Sequence, residues 1–188
     1  DKPLDLNRIK AERPKILALL TSADVASARY TPTTSIWQAV MVGNSAAVEQ
    51  HIAAGSDLDM HEELGGSTPL MLAAIYGRHD IASTLIDAGA DLEARNKSGG
   101  TALHQACSFC RPEIVKLLLH SGADSNATNN EDRTPLSIVT QELDAELIAI
   151  NKFFYDWLHL DFDLDDIKAS RIQIAKILNQ HEQEGNDE

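Results

Sequence analysis

Three residues could do chemistry on their spacing alone. His104, Cys107 and Cys110 read H-x-x-C-x-x-C, and helical spacing would bring the first two near each other. A zinc site needs three or four convergent ligands, and no fourth ligand is signalled nearby. A redox pair of the C-x-x-C kind wants a βαβ setting. The chain's seven histidines are scattered, with no nucleophile–base pairing that spacing could support. No glycine-rich stretch is patterned to cradle a phosphate. The acidic run Asp161–Asp166 resembles a calcium loop superficially, without the central glycine and the final bidentate glutamate such a loop needs. The expectation is a protein that is not an enzyme, with no catalytic, metal or cofactor site.

The elements that would position any site must be read from the rest of the chain. Its 188 residues suit one domain or one short repeat array, and 43% apolar residues suffice for a core. No apolar run is long enough for a membrane span. With 29 acidic residues against 16 basic ones, the formal net charge is −13. That argues against nucleic-acid binding, which needs Lys and Arg to displace phosphate counterions. It serves solubility, and it would also speed encounter with a basic partner. Two cysteines make no disulfide framework, and their scarcity fits a reducing, cytoplasmic setting.

A repeat organises the sequence. Thr68-Pro69-Leu70-Met71-Leu72-Ala73-Ala74, Thr101-Ala102-Leu103-His104-Gln105-Ala106-Cys107 and Thr134-Pro135-Leu136-Ser137-Ile138-Val139 start 33 residues apart. Ala88-Gly89-Ala90-Asp91 and Ser121-Gly122-Ala123-Asp124 close the units. Apolar sets around Ile81–Ile86 and Ile114–Leu119 lie between. A fourth copy opens at Thr34 and closes at Ala54-Gly55-Ser56-Asp57. Threonine can cap a helix start, proline suits the first helical position, and glycine can end a helix left-handed. Each unit is apolar on both sides and closes its core by stacking.

These residues resemble the ankyrin-repeat family, whose unit is a turn plus two helices with a T-P-L-H-x-A hallmark. The likeness runs through residues 14–142 and resumes near Arg171. It implies an all-α ankyrin-repeat solenoid with loop hairpins and no true sheet. It places His104 at the hallmark histidine, where the side chain ties down a loop, and Cys107 at a small core position. Leu103 and Leu117 are expected in the core. Asp132 stands where a loop glycine is usual, and Cys110-Arg111 replaces Gly-His. The loop after the first repeat, through His61-Glu62-Glu63-Leu64, is one residue longer than the next.

The two ends match each other. Asp5, Leu6, Ile9, Lys10, Ala11, Arg13, Ile16 and Leu20 recur as Asp163, Leu164, Ile167, Lys168, Ala169, Arg171, Ile174 and Leu178, at a constant offset of 158. Either the chain comes from a longer tandem-module protein, or it starts with a half-repeat cap. The last repeat is interrupted: Thr134 to Ile174 spans 40 residues where Thr101 to Ile114 spans 13, an insertion of 27. Leu147, Ile150, Phe154, Trp157 and Leu158 fall at helical spacing, so an extra helix is expected over about Asp144–Leu160. It would cap the stack or dock a partner with its aromatics. The expected organisation is a half-repeat or capping helix over 1–33, repeats over 34–142, and over 143–188 the inserted helix, a capping helix and an acidic tail.

The resemblance also implies where a protein partner would bind. The variable positions of the first helices are Met41, Val42, Ile75, Tyr76, Ser108 and Phe109. The loop-tip positions include Leu64, Lys97, Asn130, Glu131 and Arg133. The expected function is a non-catalytic interaction module, monomeric, binding through its concave face and loop tips. The alternatives are an inhibitor or immunity-type protein masking a basic toxin, and an accessory domain of a larger protein.

Overall fold

A computed structural model describes residues 35–186. The helices pair as α1 (Ile36–Val42) with α2 (Ser45–Ala53), α3 (Pro69–Ile75) with α4 (His79–Asp87), and α5 (Ala102–Ser108) with α6 (Pro112–His120). The last unit starts with α7 (Pro135–Thr140), is interrupted by α8 (Ala145–Trp157), and ends with α9 (Leu164–Asn186). First helices pack on first helices and second on second, with α9 taking the second-helix place against α6 and α7. Among the described residues there is no strand, and no helix is long and apolar enough to cross a membrane. The fold is an all-α repeat solenoid. The expected helix at residues 1–33, with Ile9, Ile16 and Leu20 against the first repeat, lies outside the described residues.

The sequence motifs act as their chemistry suggests. Thr68 and Thr134 side chains accept from the amides of Met71 and Ser137, satisfying helix-start donors. The alanine pair Ala73–Ala74 is fully buried, which lets neighbouring first helices approach. Leu103 is in the core. Leu117 is not fully so: it is half-buried, and its neighbour Leu118 fills the core. The α6 helix presents Ile114, Val115, Leu118 and Leu119 inward, an i, i+1, i+4, i+5 stripe that leaves position 117 at its edge.

The glycine departures keep their backbone shape. Gly66 and Gly99 turn left-handed in the first two hairpins, and Asp132 does the same in the third at φ 56°. Gly43 and Gly77 end first helices at φ 77° and 67°, and Cys110 ends α5 at φ 54°. A Cβ on Gly99 would meet the backbone nitrogen of Asn130 at 2.9 Å, and one on Gly66 that of Lys97 at 3.1 Å. In those hairpins the next hairpin lies on top. Asp132 belongs to the last hairpin and is exposed, so its side chain has room.

The inserted helix is capped by Asp144, whose carboxylate accepts from the Leu147 amide at 2.8 Å. Tyr155 alone of its residues is fully buried. It stacks on Phe109 at 5.6 Å and meets Phe162 edge-on at 5.5 Å. The following residues Leu158 and Leu160 pack against the core, and His159 turns left-handed at φ 56°.

Candidate functional site

The expected site residues fall at two ends of the first helices. At the start lie the hairpins, with Leu64, Lys97, Asn130, Glu131 and Arg133. At the end, one seven-residue helix or about 10 Å away, lie Met41, Val42, Ile75, Tyr76, Ser108 and Phe109.

The hairpin end is a ladder of satisfied polar groups. Each hairpin folds around one side-chain acceptor. Asn96 takes the amides of Ser98 and Gly100, and Asn129 takes those of Glu131 and Arg133. In the longer first hairpin the longer Glu62 does this work, accepting from Leu64, Gly65 and Ser67. Between hairpins, Lys97 donates from its backbone to Gly65 and from its ammonium to the carbonyls of Glu63 and Leu64. Asn130 donates to the Lys97 carbonyl at 3.1 Å. Arg133 pairs with Glu131 at 3.2 Å and donates to Gln141. Leu64 stands out as a large apolar side chain 54% exposed at the tip.

His104 joins this ladder from below. Its Nε2 donates to the Arg133 carbonyl at 3.0 Å, and its Nδ1 faces the amide and hydroxyl of Thr101 at 3.2 and 2.9 Å. Burial, with the charge of Arg95 adding to it, holds the imidazole pKa down. Both ring nitrogens are therefore engaged and the ring is neutral at pH 7. Burial pushes the Cys107 and Cys110 thiols up, the opposite of what a reactive thiolate or metal ligand needs. The H-x-x-C-x-x-C residues thus serve loop and core. Among the described residues no group of three or more His, Cys, Asp or Glu could hold a metal ion.

The other end is open. A groove of about 460 Å³ is lined by Met41, Val42, Tyr76, Arg78 and Arg111 from the repeats and by Leu158, His159, Leu160 and Asp161 from the turn after α8. Ile75 is buried at 7% exposure, so the exposed stripe expected from the sequence loses it. Phe109 is half-buried under Tyr155. Ser108 is half-buried at the end of α5. Burial raises the Tyr76 phenol pKa, and the nearby Arg78 charge opposes it; the hydroxyl stays protonated and can donate.

Arg78, Arg111 and the turn 158–161 were not among the expected residues. The arginines had a signal: they sit 33 residues apart, just before two second helices. Arg78 donates to the Met41 carbonyl at 2.8 Å and Arg111 to the Ile75 carbonyl at 3.2 Å. Each thus places a cation at the carboxyl end of the preceding repeat's first helix, where the helix dipole favours it. The turn carried no such signal, because it reaches the groove through the docking of α8.

Stacked helix pairs, hairpins at one end and an open groove at the other define a repeat-solenoid binding scaffold. A family model described as ankyrin repeats in three copies matches residues 36–129. The chain belongs to the ankyrin-repeat family. It is 32% identical to mouse (Mus musculus) Inversin over 129 residues, which is 69% of this chain and 12% of Inversin. It is 42% identical to the Drosophila melanogaster Neurogenic locus Notch protein over 55 residues, 29% of this chain and 2% of Notch. It is 38% identical to the mouse 2-5A-dependent ribonuclease over 68 residues, 36% of this chain and 9% of that protein. The chain spans only about an eighth of the Inversin it matches. Ankyrin repeats are generally protein–protein interaction modules.

Proposed function

We propose that this chain is a non-catalytic binding module that grips one protein partner in the groove at the ends of its first helices. The observation that carries the reading is the groove itself. It is a space of about 460 Å³ in which Met41, Val42 and Tyr76 lie with two arginines, and Tyr and Arg are side-chain types that anchor interfaces. The hairpin end, where polar groups are mutually satisfied, contributes rim contacts through Leu64, Lys97, Asn130, Glu131 and Arg133. Capturing a partner on the full chain, then cross-linking and mapping by mass spectrometry, tests this. Cross-links should cluster around residues 41–42, 76–78 and 158–161. Cross-links confined to the exposed side of α8 would overturn the groove reading.

A second reading, a binding module within a larger tandem protein, is favoured by one observation. The four buried residues Ile167, Arg171, Ile174 and Leu178 of α9 are all repeated identically at Ile9, Arg13, Ile16 and Leu20. The whole packing face recurs, together with Asp163, Leu164, Lys168 and Ala169 around it, as expected of a repeated structural unit.

A further inference from the structure

Among the described residues, no neighbour matches the charge of the groove's two arginines. Each guanidinium has five N–H donors in a fixed fork. Arg78 spends one on Met41 and Arg111 one on Ile75. The ion pairs among the described residues lie elsewhere: His79–Asp80, Lys116–Glu113, Arg133–Glu131 and Lys168–Asp165. The Nε of Arg78 is buried without a partner, and a buried donor left unpaired costs stability until something accepts from it. One carboxylate, Asp161, also lines the groove, outside ion-pair distance of either arginine. Two cationic forks thus share the groove with the side chains of Met41, Val42, Tyr76, Leu158 and Leu160. They do so in a chain whose net charge is −13.

We propose that this groove takes an acidic–apolar stretch of the partner protein. One Asp or Glu side chain is held by Arg78 and Arg111, and a neighbouring apolar side chain lies on Met41 and Tyr76. This rests on the groove being the protein-binding surface. A carboxylate supplies the acceptors that the guanidinium forks lack, and such charge-assisted bonds are the strong ones. A basic stretch would bring like charge against both forks. A free phosphate would leave those side chains bare, and a nucleic acid would meet the repulsion of the whole acidic chain.

The test pans a random nonapeptide phage library on the full chain. The enriched peptides are then measured by fluorescence anisotropy on the wild type and on Arg111→Gln, Asp161→Lys and Tyr76→Ala. The expected winners carry Asp or Glu beside Leu, Ile or Phe. Arg111→Gln should weaken them about tenfold, the loss of an interface anchor. Because Arg111 also holds the Ile75 carbonyl, Asp161→Lys supplies an independent arm at an exposed position. It should tighten the same peptides about threefold by removing a repelling charge. Millimolar inorganic phosphate should not displace them. Winners that are basic or uncharged, acidic winners indifferent to both charge variants, displacement by phosphate, or no winners at all would overturn the proposal. Uncharged winners lost on Tyr76→Ala would leave the groove as a protein-binding site and remove only its acidic preference. Winners indifferent to Tyr76→Ala would remove the groove reading itself.

Discussion

The middle repeats and the last repeat solve the same packing problem under different constraints. From Gly43 to Gly99 every left-handed position is glycine, and at Gly43, Gly66, Gly77 and Gly99 the next unit presses on it. The Arg78 guanidinium would lie 3.1 Å from a Cβ on Gly43, and the Asn130 backbone 2.9 Å from one on Gly99. Further on, Cys110 at the end of the third repeat's first helix and Asp132 in the last hairpin adopt the same backbone with side chains. Among the described residues no further hairpin lies on Asp132, and the arginine of the interrupted repeat, Arg171, donates to its own repeat's Gln141 carbonyl. Glycine at 43, 66, 77 and 99 therefore answers two demands, a positive φ and the close approach of the next unit, whereas Gly55, Gly89 and Gly122 answer only the first. Asp132 likewise faces only the first. The same interruption divides the groove end, because Tyr155 covers Phe109 in the third repeat while Met41 and Tyr76, equally half-buried, line the groove in the first two.

The comparison can be broken most severely in the regular part. Leu118→Ala should cost about 2–5 kcal/mol in a denaturant titration, the range for truncating a fully buried leucine. Leu117→Ala, half-buried, should cost distinctly less; the reverse order would mean the α6 register is wrong. Next in size, Gly99→Ala should cost about 2 kcal/mol, combining left-handed strain with overlap on the Asn130 backbone. A neutral Gly99→Ala would show that the next hairpin does not press there. Asp132→Gly should instead stabilise by about 0.5–1 kcal/mol, since the strain at φ 56° is relieved and no contact is lost.

The smallest effect sharpens the comparison through pH. His104 ties the third repeat to the last hairpin through Arg133, and the equivalent residue of the second repeat is Met71. Its folded pKa lies below the ordinary value of about 6.5. The unfolded chain therefore takes up the proton first as pH falls. This residue's contribution is intact above about pH 6.5 and is lost progressively below it. Melting curves between pH 7 and pH 5 should show a smaller acid loss for His104→Met than for the wild type. An identical loss in both would place the acid sensitivity elsewhere.

The fold was legible because repetition writes the same physics several times. Thr68, Thr101 and Thr134 mark helix starts at one spacing, and the structure puts α3, α5 and α7 there. The inserted helix was expected over about Asp144–Leu160 and runs Ala145–Trp157, its cap at Asp144, because its apolar spacing and capping residue are local signals. Burial at stripe edges was less legible. Leu117 and Leu118 are identical residues, and their facing depends on the tilt of α6 against α4 and α9. The groove was half-legible. Met41 and Tyr76 stood at variable positions, but the turn Leu158–Asp161 reaches them only through tertiary docking of α8, which no periodicity encodes. Arg78 and Arg111 were periodic in sequence, yet their carbonyl partners belong to the preceding repeat.

In the proposed reading the part of the groove lined by Met41 and Tyr76 binds, and Phe109 holds the insert in place. Melting temperature and partner affinity measured together on Tyr76→Ala and Phe109→Ala test it most directly. The prediction is that Tyr76→Ala weakens binding by about 1–4 kcal/mol, as for an interface anchor, with little change in melting. Phe109→Ala should lower the melting temperature through loss of the Tyr155 stack. If Tyr76→Ala lowers stability while affinity is untouched, and substitutions on the exposed face of α8 abolish binding, the groove is structural and the inserted helix is the interface.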